Sequence, residues 1–209
     1  MALITYTDKE TLNQNLNVPD VNKVKADDMN EIKSVVNNNY TEFSNNKPNI
    51  ATANISGAEQ TMTATASYQN VALDNILNQA GTLTWSVVNG TATSVGSFKG
   101  VQIPAGVSQI KVSSNILFNN NNNTSAMTFV IYIYRYNASD SSTSMIVRST
   151  TPDVTAGKSA SISCVPVIVN VQENDIIFLR AYKSLATSSV SATIGNDNRT
   201  WLTIEVVPQ

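Results

Sequence analysis

From about Tyr68 onward, apolar side chains recur at every second position in short runs, and turn signals separate the runs. Leu83, Trp85 and Val87 alternate in this way, and so do Ile110, Val112, Ile116 and Phe118, with Ser114 in the same register. The pattern returns at Val167, Val169 and Val171, at Ile177, Leu179 and Ala181, and at Leu202, Ile204 and Val206. The separators are Asn89-Gly90, Pro104-Ala105-Gly106, Ala156-Gly157-Lys158, Glu173-Asn174-Asp175 and Gly195-Asn196-Asp197-Asn198. A period of two sends successive side chains to opposite faces of a strand. Many short strands with no helical pattern between them predict an antiparallel sandwich or barrel.

One run departs from the alternation. Phe129-Val130-Ile131-Tyr132-Ile133-Tyr134-Arg135-Tyr136 is apolar or aromatic on both faces. Phe129, Ile131 and Ile133 suit a sandwich core. Val130, Tyr132, Tyr134 and Tyr136 lie on the face where a single-sided sheet would carry polar residues. That second face must be covered, by neighbouring subunits or by a loop of the same chain.

The first half of the sequence reads differently. Residues 1–25 form an irregular lead in which Leu3, Tyr6, Leu12, Leu16 and Val18 are scattered and Pro19 blocks a regular helix. Such a segment has no core of its own and gains order against another protein. Residues 27–43 predict a helix, with Asp27 or Asp28 capping it and Glu31 completing a capping box. Met29, Val36 and Phe43 fall on one heptad position and Ile32 and Asn39 on another. The stripe fits a helix packed on its own domain or a short bundle of identical helices. Residues 44–67 read as a polar linker, because Ser44 to Asn49 is a breaker cluster and Ile50 to Ala66 is mostly Ala, Thr, Ser and Asn. The domain expectation is therefore an arm and helix over 1–43, a linker over 44–67 and a β head over 68–209.

Composition removes several kinds of chemistry. The chain has 209 residues, no histidine and one cysteine, Cys164. A Ser-His-Asp triad, a Cys-His dyad, a Cys/His zinc cluster and an intrachain disulfide are all excluded. Cys164 sits in an apolar run and reads as a small buried hydrophobe. Charged residues make up 13%, with a formal net charge of -2, so neither nucleic acid nor an anionic membrane is an expected partner. No run approaches the ~18 apolar residues of a membrane span. The N-terminal residues do not read as a secretory signal, and folding in a cytoplasm is expected. The head's carboxylates, Asp74, Asp140, Asp153, Glu173, Asp175, Asp197 and Glu205, are scattered rather than paired, and the Glu173–Asp175 turn reads as solvated. No catalytic residue, metal site or cofactor is expected. Asparagine occurs 27 times, and the run Asn119 to Asn123 reads as an exposed loop tip.

Two stretches resemble bacteriophage virion appendages. Thr7-Asp8-Lys9-Glu10-Thr11-Leu12-Asn13-Gln14-Asn15, then Asn22-Lys23-Val24-Lys25-Ala26-Asp27-Asp28-Met29-Asn30-Glu31-Ile32-Lys33 and Val35-Val36-Asn37, is similar to the N-terminal attachment segment of phage head fibres and minor structural proteins. Where that family often has a capping Thr, this chain has Lys25. Gly100 to Val107, Ile110 to Ser113, Val171 to Ile177 and Thr200 to Val206 resemble the heads of such fibres, and through them the jelly rolls of tumour necrosis factor and complement globular heads. The resemblance implies ten short strands in two sheets, and a homotrimer with an aromatic-lined axis. It implies a virion structural protein, a short head fibre assembled in a bacterial cytoplasm and docked on the capsid or another virion protein through Leu3, Tyr6, Leu12 and Leu16. The expected trimer contacts are Met29, Ile32, Val36 and Phe43 in the helix and Val130, Tyr132, Tyr134 and Tyr136 in the head. The alternative is a tail or baseplate protein that recognises a host-surface glycan.

Overall fold

The structure, a computed structural model, describes residues 26–45, 48–62, 68–122, 124–184, 192–196 and 199–208, with helix side chains over 27–41. Leu3, Tyr6, Leu12 and Leu16, and the side chain of Phe43, lie outside the described residues. In chain order the elements are α1 (Ala26–Asn45), β1 (Ile50–Asn54), β2 (Gln60–Thr61), β3 (Gln69–Asn70), β4 (Asn75–Ala80), β5 (Ser86–Ala92), β6 (Gly96–Gln102), β7 (Gln109–Asn120), β8 (Phe129–Asn137), β9 (Ser142–Thr150), β10 (Ser159–Asn170), β11 (Ile176–Lys183), β12 (Ala192–Ile194) and β13 (Trp201–Val206).

The alternating runs fold as their period dictates. Ile110, Val112, Ser114, Ile116 and Phe118 of β7 are all fully buried, and so are Ile177, Leu179 and Ala181 of β11 and Leu202 and Ile204 of β13. One sheet is built on β7. The strand β10 pairs along one side of it, and β13 and β12 follow one another along the other side. Beyond β13 come β1 and then β4, and β2 pairs with β12. The second sheet runs β5, β6, β11, β8, β9, with β3 also on β11. Every pairing is antiparallel. The inner faces of the two sheets share one core, in which the rings of Phe118 and Phe129 stack at 4.5 Å. This is the mainly β, two-sheet antiparallel sandwich with one short helix that the sequence pattern predicts, and the jelly roll that the resemblance implies.

Four expectations need correction. The segment read as a linker contains β1, a strand inside the first sheet flanked by β13 and β4. Ala51 and Ala53 are fully buried, and Ile55 and Met62 join the core. Small residues suffice there because the strand is sandwiched on both edges, so the compact head unit is Pro48–Gln209. Asn89-Gly90 is not a turn but lies within β5. A Cβ at Gly90 would run into the ring of Phe98 on β6, so this glycine serves close packing rather than chain reversal. The reversal falls at Thr93 to Val95, before Gly96 at φ 69°. Asn120 is not part of an exposed tip: it is 1% exposed, and its Nδ2 donates to the carbonyls of Ser125 and Val154 at 3.0 and 2.8 Å. Finally α1 begins at Ala26, which places Asp27 and Asp28 in its first turn, where they complement the helix dipole, rather than at the cap. The reversals at Gly106, Gly157 and Asn174 sit where the sequence places them, each at positive φ.

Along α1 the apolar stripe is open. Met29 and Val36 are half-buried, Ile32 is 54% exposed and Val35 is 50% exposed.

Candidate functional site

The two-faced strand β8 runs through the middle of its sheet, between β11 and β9. Phe129, Ile131 and Ile133 face the core and are fully buried. Register then fixes what shares the other face. Tyr136 stands opposite Ile176, Tyr134 opposite Phe178, Tyr132 opposite Arg180 and Val130 opposite Tyr182. On the β9 side the same residues meet Thr143, Met145, Arg148 and Thr150. Cross-strand neighbours at this spacing are in contact. The pairing shifts between Ile133 and Tyr134, so that Val147 and Met145 oppose consecutive β8 residues.

Aromatic rings tile this outer face. Phe98 of β6 stacks on Phe178 at 4.1 Å, and Tyr134 lies 5.6 Å from the same ring. Gly100 sits opposite Phe178, where a Cβ would strike β11, and so keeps β6 close. Tyr68, just before β3, reaches over the face, edge-on to Tyr132 at 5.2 Å and tilted against Tyr182 at 5.6 Å. Tyr132 is 8% exposed as a result, while Val130, Tyr134 and Tyr136 are half-buried. Burial, joined by a hydrogen bond with Tyr68, pushes the Tyr132 phenol up to about 12. The cover demanded by the second apolar face is therefore supplied in large part by the chain itself.

Arg180 is the unexpected member. Its guanidinium carbon lies 4.8 Å from the ring centre of Tyr68 and 5.3 Å from that of Tyr134. The residue is only 9% exposed, and its buried Nε has no hydrogen-bond acceptor among the described residues. Contact with two ring faces offsets part of the cost of burying this cation. Arg148 flanks Tyr132 on the other side and is exposed. Alternation drew attention to Ile177, Leu179 and Ala181 and passed over the residues between them. Yet Ile176, Phe178, Arg180 and Tyr182 show the same two-faced signature as β8, interrupted by a single charge.

The turn read as solvated is instead an electrostatic clamp. Asp175 is fully buried. Its Oδ2 accepts from Arg135 Nε and from the Gln172 amide, both at 2.7 Å, and pairs with Arg135 Nη2 at 2.7 Å. Its Oδ1 accepts from the Ala138 amide at 3.2 Å, and Arg135 Nη1 donates to the Asn170 carbonyl at 3.0 Å. Arg135 is thus the one charge in the tyrosine strand because it ties β8 to the start of β11. Other carboxylates also hold structure: Asp74 accepts from the Ser56 amide, Asp153 from Thr128, Glu59 from Thr193, and Glu205 pairs with Lys111. Cys164 is 2% exposed and burial pushes its thiol up, in keeping with a small core residue.

No protein-family model matches the chain, and no curated protein sequence matches it. Among solved structures it is similar to murine APRIL, with a TM-score of 0.51 at 11% identity, over 77% of this chain and 99% of that one. The Eiger TNF of S. frugiperda aligns over 78% of this chain and 94% of that one, with a TM-score of 0.47 at 11% identity. At such identity the likeness to APRIL is one of fold, and the head is a jelly roll of the tumour necrosis factor type.

Proposed function

We propose that the chain is a bacteriophage virion structural protein, a short homotrimeric fibre with the role of a head fibre. Its N-terminal arm docks on the capsid or another virion protein, and its β head projects outward. The observation that carries this reading is the open apolar stripe of α1, with Ile32 54% and Val35 50% exposed. It lies within the stretch that resembles phage attachment segments. Most of a helix's stability in a protein comes from packing of its apolar face, and contact of this stripe with copies of itself would stabilise α1. Met29, Ile32, Val36 and Phe43 are the residues of that seam.

On the head, the most exposed large apolar side chains away from the tyrosine face form a rim, Val165 and Ile168 on β10, at 68% and 55%. The strand β10 is an edge of its sheet and touches the edge strand β9 of the other. We assign copy-to-copy contact on the head to this rim, because Tyr132 and its neighbours are already covered by Tyr68, Phe98 and Arg180. The protein acts by binding and assembly, not catalysis, and its place is the virion.

Sedimentation equilibrium tests the assembly. The full chain should sediment as a trimer at micromolar concentration, and Ile32→Ser combined with Val36→Ser should weaken association by about tenfold or more, since each buried aliphatic contributes about 1.5–3 kcal/mol. A stable monomer would refute the proposal. Labelling of intact particles with an antibody to the head then tests the location.

A further inference from the structure

We infer that Arg180, with Arg148 and the rings of Tyr68, Tyr132 and Tyr134, forms a recognition site for an acidic saccharide, a sugar polymer bearing carboxylate or phosphate groups. The chemistry comes from the single-chain geometry. Only the assignment of the polymer to a host surface rests on the reading of an outward-facing head.

The first argument is the unanswered cation. Arg180 is nine-tenths buried, and its buried Nε has no acceptor among the described residues. A guanidinium offers five N–H donors in a fixed fork matched to a carboxylate or phosphate. Its cross-strand and stacking neighbours are Tyr132, Tyr68 and Tyr134, and no carboxylate stands among them. Arg148, on the far side of Tyr132, is in no ion pair among the described residues either. Two arginines one sheet position either side of a single tyrosine make a positive spot on a chain whose net charge is -2. The Arg135–Asp175 clamp shows that this sheet does pair a half-buried arginine where only structure is at stake.

The second argument is the setting of the cation. Tyr68 is 49% exposed and its ring lies 4.8 Å from the Arg180 guanidinium. Such a ring presents a flat apolar face to the C–H face of a sugar, and a phenolic hydroxyl that both donates and accepts. The oxyanion then meets the arginines while the sugar ring lies against the tyrosines. A nucleic acid would find rings and arginines too, but its charge density calls for many more cations than two. A sugar polymer carrying one charge per residue or fewer suits the spot and is not repelled by the rest of the surface.

The test uses the full chain and immobilised polygalacturonate (carboxylate), phosphomannan (phosphate), dextran (neutral) and oligo(dT), with binding read by surface plasmon resonance at low salt. Binding to one or both acidic sugar-based polymers and not to dextran or oligo(dT) is expected, and the responding polymer identifies the anion. Arg180→Gln should weaken it about tenfold or more, as loss of a charge-assisted hydrogen bond implies. Arg180→Lys, which keeps the charge but loses the fork, should fall between. Lys111→Gln, on the other sheet, should bind as the parent does. Tyr68→Ala, which removes a half-exposed ring and leaves the cation in place, should also weaken binding and guards against misfolding of the Arg180 variants. No binding to either acidic polymer, equal binding to dextran or oligo(dT), or unchanged binding by Arg180→Gln and Tyr68→Ala would overturn the inference. So would a smaller sedimenting species for Arg180→Gln, which would make Arg180 a contact between copies. The trimer itself is tested separately by the helix variants.

Discussion

Truncation distinguishes a linker from a strand. A chain lacking residues 1–47 keeps the whole compact unit, including Asn49, whose Oδ1 accepts from the Thr82 and Leu83 amides at 2.7 and 3.0 Å. A chain lacking residues 1–57 loses β1. That strand has five cross-strand pairs with β13 and five with β4. At the low end of about 0.5 kcal/mol net per ladder hydrogen bond, its loss costs on the order of 5 kcal/mol. Ala51, Ala53 and Ile55 leave the core as well, which adds about 3–4.5 kcal/mol of lost apolar burial. Together these approach the whole stability of an ordinary domain, roughly 5–15 kcal/mol. Their removal also strips β13 of a neighbour and detaches β4. Thermal unfolding followed by circular dichroism should therefore give one cooperative transition for the first truncation. The second should aggregate or melt without a transition. Equal midpoints for the two would refute the assignment of β1 to the folding unit, and with it the reasoning from ladder and burial.

The clamp and the buried phenol give two more outcomes. Asp175→Asn leaves Arg135 without its counter-ion and should destabilise the head by about 3–5 kcal/mol, lowering the melting midpoint by on the order of 10 °C; a shift of a degree or two would reassign the clamp to a marginal role. Tyr132 has its folded value raised above the ordinary 10, so its contribution to stability is fully present below pH about 10 and is lost as pH rises toward about 12. Ultraviolet titration should show one of the seven tyrosines ionising near pH 12, a step that Tyr132→Phe removes. A titration with all tyrosines complete by pH 11 would contradict the burial.

Legibility in this sequence follows residue volume. Ile110, Val112, Ile116 and Phe118 announce a strand because each large side chain must leave water, and period two states which way it leaves. In β1 the inward residues are Ala51 and Ala53, and the chemistry of burial is carried by backbone pairing on two edges. Pairing partners more than a hundred residues away leave no local mark, so Thr52 facing Thr203 is invisible to any window along the chain. The same holds for Asn120, whose carbonyl partners Ser125 and Val154 turn an asparagine run into a buried anchor. Gly90 shows the converse error. The Asn-Gly dipeptide favours a turn locally, and the ring of Phe98 overrides it.

The tyrosine face was legible only in half, and the missing half decides what it does. A strand apolar on both sides states that its second face is covered, but not by what. The answer lies in β11, where Phe178, Arg180 and Tyr182 stand opposite Tyr134, Tyr132 and Val130. Had the partner residues been aliphatic, the face would be a plain apolar surface and self-association its simplest use. An arginine held between two rings, its Nε without an acceptor among the described residues, changes the question from which copy covers the face to which anion answers the charge. The most exposed aliphatic side chains then lie elsewhere, on α1 at Ile32 and Val35 and on the β10 rim at Val165 and Ile168. On the proposed reading, assembly and recognition fall on different surfaces of one chain, so that three copies would associate without closing the site that each of them carries.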